Sequence, residues 1–261
     1  MSAMPHHRAF HVPENPRYGI VESARDSLRF TLTKTLRRDE QGHLVSISSF
    51  VDPDGQVMGW HDFGNLEGPG WAANAVGGAW EIWRWGRFLA KRDWQAKALA
   101  ILDHVLDGGF LDPKTGFIIG YRETTSGKLC LNYKHNSDWL CPGSTSKVAF
   151  QLLSFADDLG DDPRARRMRS AAIAWARWLD EHLESVPNGW LPRRCTPARK
   201  VHRKTPEGGD EPFWQTSADG LFVLQLQAAL TRRKLADYSK QLRERAAVFT
   251  KAGGIFGSIN H

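Results

Sequence analysis

Three segments of this chain are apolar nearly all round, dense in small residues, and preceded by loops crowded with acids, amides and aromatics. The loops read W60-H-D-F-G-N-L-E-G-P-G-W71, Y133-K-H-N-S-D-W-L-C-P-G-S144 and G208-G-D-E-P-F-W-Q-T-S217. The helices expected after them start near Trp71, Ser144 and Ser217, at a regular interval of 73 residues. A helix without a polar face must be buried on all sides, and recurrence at a fixed long period signals one supersecondary unit used repeatedly. Gly77 and Gly78 sit inside the first such helix. Each costs about 1 kcal/mol there relative to Ala, and close backbone approach to a neighbouring helix is one reason for their presence.

Between these inner helices lie amphipathic ones. In Trp94 to Leu106, Ala98, Leu102, Val105 and Leu106 form one stripe, while Lys97, Asp103 and His104 are expected to face elsewhere. Pro163 to Leu183 has Asp162 as N-cap and Pro163 in its first turn. A third outer helix is expected over about Lys234 to Lys251. Near the N-terminus, Ile20, Ala24, Leu28, Leu32 and Leu36 recur at i+4 and predict a helix from about Tyr18 to Arg37. The stretches Leu44–Val51 and Gln56–Trp60 flank D52-P-D-G55, a strand–turn–strand signal. Phe117–Arg122 and Lys128–Tyr133, joined by E123-T-T-S-G127, read as a β-hairpin over a cleft. Residues 1–16, with three prolines, read as an extended arm, leaving 17–261 as one helical domain. If the inner helices stand side by side, their loops gather carboxylates and indoles at one end.

Composition narrows the partners. Eleven tryptophans among 261 residues is an excess. Indole faces stack on sugar rings, although about half of such residues pack between helices instead. The net charge of +6 is spread over helix patterns such as R164-A-R-R-M-R169, read as a solvated face. No basic stripe with interleaved aromatics points to nucleic acid, and no apolar run reaches the length of a membrane span. Cys130, Cys141 and Cys195 form neither a disulfide framework nor a zinc motif. The N-terminal sequence lacks the apolar core of a signal peptide, so reduced thiols and a cytoplasmic location are expected.

With its alternating inner and outer helices, the sequence resembles the six-hairpin glycosidase-like families. The resemblance rests on G64-N-L-E-G-P-G-W-A-A-N74, H135-N-S-D-W139, D210-E-P-F-W-Q-T-S-A-D-G220 and G253-G-I-F-G-S-I-N-H261, and covers roughly residues 17 to 261. It implies an all-α fold, an α/α toroid with small β-hairpins in its loops. It also implies an active site at the N-terminal ends of the inner helices, acting on a carbohydrate. Six inner helices complete such a barrel and three are expected here. The toroid is therefore incomplete, closed by a homo-oligomer or by a missing C-terminal half.

Glycoside hydrolysis needs two carboxyl groups across the scissile bond. Asp138, between His135 and Trp139, leads the catalytic candidates, followed by Asp62, Asp210 and Glu211. The last two are adjacent in sequence, so one of them at most is expected to face the cleft. Asp219 suits either the helix dipole or catalysis, and Glu67 suits a loop or capping role. Trp60, Trp71, Trp139 and Trp214 are candidate sugar platforms. His61, His135, Asn74, Asn136 and Gln215 are candidate hydroxyl readers, with helix capping the competing role for the amides. H135-N-S-D138 is too thin a set of ligands for a metal site, and no metal or cofactor is expected. Nucleotide-binding and serine-hydrolase motifs are absent. Three rivals remain: a uronate lyase built on Tyr133, His135, Asn136 and Arg122, a sugar epimerase on the same toroid, and a non-catalytic helical repeat that binds a partner.

Overall fold

The computed structural model describes residues 19–46, 51–56, 66–112, 114–133, 138–186, 189–202 and 218–252. The N-terminal arm, the C-terminal glycine-rich stretch and most of the acidic loops before the first and third inner helices lie outside them. The described elements are α1 (Ile20–Phe30), β1 (Leu36–Arg38), β2 (Leu44–Ser46), β3 (Leu66–Glu67), α2 (Ala75–Phe88), α3 (Arg92–Asp107), β4 (Tyr121–Glu123), β5 (Leu129–Cys130), α4 (Pro142–Leu159), α5 (Pro163–His182), α6 (Gly220–Arg232) and α7 (Ser239–Lys251).

Helices α2, α4 and α6 form the inner row, with α4 packed against both of the others. Each is followed by its outer partner, α3, α5 or α7, through a short turn. The inner starts at Ala75, Pro142 and Gly220 make the expected period approximate. The first inner helix begins four residues later than Trp71 because Gly68 to Ala73 is tied down elsewhere. Gly70 N–H bonds Gly120 O at 2.7 Å, and Tyr121 Oη accepts from Ala72 N–H at 3.3 Å. Asn74, with φ of 48°, then turns the chain into α2.

Helix α4 has neighbours on both sides and buries Val148, Ala149, Leu152, Leu153, Phe155 and Ala156. Helix α2 lies at an edge of the row. It is not enclosed on all sides as expected: Phe88 is exposed, and Arg84 and Arg87 lie over the faces of Trp80 and Trp83. The second outer helix starts as anticipated, with the Asp162 carboxylate accepting from Arg164 N–H at 2.8 Å. The third starts later, at Ser239. Trp175 is fully buried, stacked on Trp178 at 5.0 Å, and donates to Ser146 Oγ at 3.0 Å, pinning α5 to the N-terminal part of α4. Loss of such a core indole costs about 3–5 kcal/mol.

Three sequence expectations need correction. First, the N-terminal helix ends at Phe30 in a wide π turn over Thr31–Thr35. The hydroxyls of Thr31, Thr33 and Thr35 bond back to the carbonyls of Ser27, Arg29 and Thr31. β-branched side chains that bond their own backbone weaken a helix. The freed segment becomes β1, which pairs antiparallel with β2 in the register Arg37↔Val45. Asp52–Gly55 does form a turn, and β2 pairs with β1; most of the segment after Gly55 expected to pair across the turn lies outside the described residues. Second, the arginines of 164–169 are not simply a solvated face. Arg164 makes a paired bridge to Asp103 at 2.6 and 2.9 Å, and Arg167 and Arg169 donate to the carbonyls of Leu106 and Ala156. Third, His104 is buried. The hairpin of β4 and β5 forms as expected and gains β3 as a third strand, with Glu67 opposite Arg122. No described helix is long and apolar enough to cross a membrane.

Candidate functional site

The N-terminal ends of α2, α4 and α6 meet at one cavity. Trp71 comes from the turn before α2. Cys141, Ser144 and Lys147 come from the start of α4, and Asp219 and Phe222 from the start of α6. The inner helices therefore run parallel. Tyr133, Arg193 and Arg194 close the sides. A smaller annex, lined by Gly120, Tyr121 and Asn132, opens from the same floor of Trp71, Tyr133, Cys141 and Ser144.

Small residues bring these ends together. A Cβ on Gly143 would lie 2.2 Å from the carbonyl oxygen of Asp219, so only glycine lets the start of α6 come this close to α4. Asp219 is the N-cap residue of α6, yet its carboxylate makes no hydrogen bond to the first turn, so it does not serve as a capping group.

The aromatic lining is graded in exposure. Trp71 is 41% exposed and meets Tyr133 edge-on at 5.6 Å. Tyr133 in turn meets Trp139 at 6.0 Å. Trp139 is 4% exposed, lies 3.7 Å beneath the Arg194 guanidinium and contacts His202. Trp139 thus lies buried behind Tyr133 and Arg194 and has no open face to offer a sugar, contrary to the sequence expectation. Phe222 carries Lys147 over its ring at 5.7 Å.

Burial is the largest influence on the titration of Arg194, Cys141 and Tyr121. It lowers the Arg194 pKa despite nearby Cys141 and Tyr133. It pushes the Cys141 thiol up to about 11 against the pull of Arg194, so this cysteine is no nucleophile at neutral pH. Tyr121, buried in the annex, is shifted upward by the same cause.

The structure separates the sequence candidates. Asp138 faces solvent, its side chain 81% exposed and 3.6 Å from His202 Nε2, and it does not line the cavity. Asn74 is engaged between helices: its Oδ1 accepts from Gln151 Nε2 at 3.0 Å, which competes with reading a hydroxyl. Trp60, His61, Asp62, His135, Asn136, Asp210, Glu211, Trp214 and Gln215 lie outside the described residues. Arg122 cannot join Tyr133 in a lyase set. Neighbouring residues of a strand point to opposite faces, so Tyr121 reaches the annex while Arg122 turns to Glu67 and the Gly108 carbonyl. Lys147, Arg193, Arg194 and Phe222 were missed. Lys147 and Phe222 sit one helical turn or less from residues that were noticed, and helical periodicity could have recovered them. The arginines enter from a loop of no recognisable pattern.

No protein-family model matches the chain, and neither does any curated protein. Solved structures do. One is a possible GH105 family member from Salmonella enterica serovar Paratyphi A, at 13% identity and a TM-score of 0.55, covering 88% of this chain and 53% of that one. Another is a possible GH105 member from Klebsiella pneumoniae, at 11% identity and a TM-score of 0.57, covering 89% and 53%. The chain spans about half the length of these structures. The likeness is one of fold alone, an α/α toroid of which this chain spans a part.

Proposed function

We propose that the mouth formed by α2, α4 and α6 binds an acidic oligosaccharide, and that the complete toroid hydrolyses it with a pair of carboxyl groups. The observation that carries this reading is the cavity where three inner-helix N-termini meet an exposed indole, three cationic side chains and a carboxylate. The half-exposed Trp71 offers a face for a sugar ring. Lys147, Arg193 and the positive ends of the helix dipoles favour a substrate that carries a carboxylate. Asp219 is the described acid in the mouth. One of Asp62, Asp210 and Glu211 supplies the second carboxyl group. One acid protonates the leaving oxygen and the other carboxylate activates water or attacks carbon. The ring is completed by a second copy or by further chain.

The test is a panel of uronic-acid-containing and neutral oligosaccharides. Binding is read by calorimetry and products by mass. The expected result is preferential binding of acidic sugars, weakened in Trp71→Ala and Lys147→Ala, with products heavier by one water per bond cut. A new ultraviolet absorbance from an unsaturated uronide indicates a lyase instead, with Tyr133 in the cavity as the proton acceptor. A product of unchanged mass and altered sugar indicates an epimerase. Binding without turnover leaves a binding module. If no sugar of either class binds, the reading fails.

A further inference from the structure

A second polar cluster lies on the opposite face of β4, away from the mouth. Asp39 and His43 occupy the turn between β1 and β2. The Asp39 Oδ1 accepts the backbone N–H groups of Gln41 and His43 at 3.0 and 2.8 Å, and its Oδ2 lies 2.9 Å from His43 Nδ1. Across from them, His104 of α3 sets Nε2 at 2.9 Å from both oxygens of Glu67. The side chains of His104 and Glu67 are 4% and 2% exposed, and Arg122 approaches Glu67 at 3.7 Å. The two imidazole rings lie 4.7 Å apart. One ligand atom from each of Asp39, His43 and His104 lies within 4.8 Å of the others.

We propose that Asp39, His43 and His104 bind one divalent transition-metal ion, with Glu67 as the positioning residue for His104. A neutral imidazole that donates from Nε2 to Glu67 keeps its lone pair on Nδ1. A carboxylate behind a histidine is how metal sites fix the tautomer and orientation of the ring. Two nitrogens and one carboxylate oxygen suit Zn2+ or Co2+, whereas Ca2+ and Mg2+ call for more oxygens. Tetrahedral bonds of roughly 2.0–2.2 Å place ligand atoms about 3.4 Å apart. Closing to that spacing needs a modest swing of His43, whose side chain is 50% exposed on the turn and free to adjust. The remaining coordination position opens to a cavity lined by Lys97, Asp107 and Gly108, which supplies a path for the ion and room for a water. The bound ion would clamp the N-terminal hairpin to the first outer helix.

The experiment titrates the metal-free full chain with Co2+ and then displaces it with Zn2+. The expected result is one Co2+ per chain with the visible absorption of a low-coordinate nitrogen–oxygen site, its loss on Zn2+ addition, and a higher thermal midpoint with either ion. His43→Ala and Asp39→Asn, both altered on a surface turn and checked for folding by circular dichroism, should weaken binding by roughly tenfold or more, and Glu67→Gln by about 10–100-fold. A chain with no saturable Co2+ spectrum overturns the proposal. So does a spectrum unchanged in His43→Ala, which would place the ion on other histidines such as His6 and His7.

Discussion

The mouth and the His104 cluster flank the same strand and are built in opposite ways. The mouth is open and aromatic, and Lys147 can reach a ligand there. Around His104, the Glu67–His104 pair is almost wholly buried. A polar group at an open rim contributes little to stability and is available for binding. A buried pair is costly to break, because the surviving partner is left without a hydrogen bond in a dry interior.

The largest effect expected from this contrast is at Glu67. Glu67→Ala removes the acceptor of a buried imidazole and should cost about 3 kcal/mol or more, as for other half-broken buried pairs. Lys147→Ala at the mouth should stay within about 0.5 kcal/mol. Urea denaturation of both variants decides the matter. Equal losses would mean that the two clusters do not differ in the way their burial suggests.

Next comes the hinge between α4 and α6. Gly143→Ala forces a methyl group against the Asp219 carbonyl, a backbone atom that cannot rotate away. Overpacking of this kind costs about 1–3 kcal/mol. The start of α6 carries Asp219 and Phe222 into the mouth, so oligosaccharide affinity should fall with stability. A stable variant with an unaltered sugar titration would show that the approach of these two helices does not shape the cavity.

Trp71→Ala should separate binding from folding. The ring is one of the large apolar side chains left exposed among the described residues, and its loss opens no core cavity. A stacked aromatic contact is worth about 0.5–1.5 kcal/mol beyond its area, so affinity for an acidic oligosaccharide should drop roughly tenfold with the thermal midpoint nearly unchanged. Undiminished affinity would remove the indole from the site.

How much of this was legible in the sequence follows from which interactions are local. The inner and outer helices were readable because apolar periodicity and the Asp162–Pro163 start are local signals. Convergence of the inner-helix starts followed from their repetition. The N-terminal region was misread because Leu32 and Leu36 continue the i+4 stripe, while three threonines spend their hydroxyls on the backbone and end the helix early. His104 was assigned to the polar face because its partner Glu67 lies 37 residues away, on a strand too short to announce itself. Asp138 was singled out for its neighbours in sequence, and exposure is not set by neighbours in sequence.

The smallest effect expected lies in α2 and splits two glycines that look identical in the sequence. A Cβ on Gly77 would meet the amides of Gln151 and Asn74 at 2.3 and 2.6 Å, the same pair whose hydrogen bond joins α4 to the start of α2. Around Gly78 no atom of the described residues lies within 4 Å. Gly77→Ala should therefore displace that bond and cost about 1 kcal/mol or more. Gly78→Ala meets no obstacle and removes backbone freedom from the unfolded chain, so it should stabilise by about 0.5–1 kcal/mol. Thermal melts of the two single variants measure the difference directly. A destabilising Gly78→Ala would mean that another surface does cover this face of α2, as it would if the ring were closed there by a second copy or by further chain.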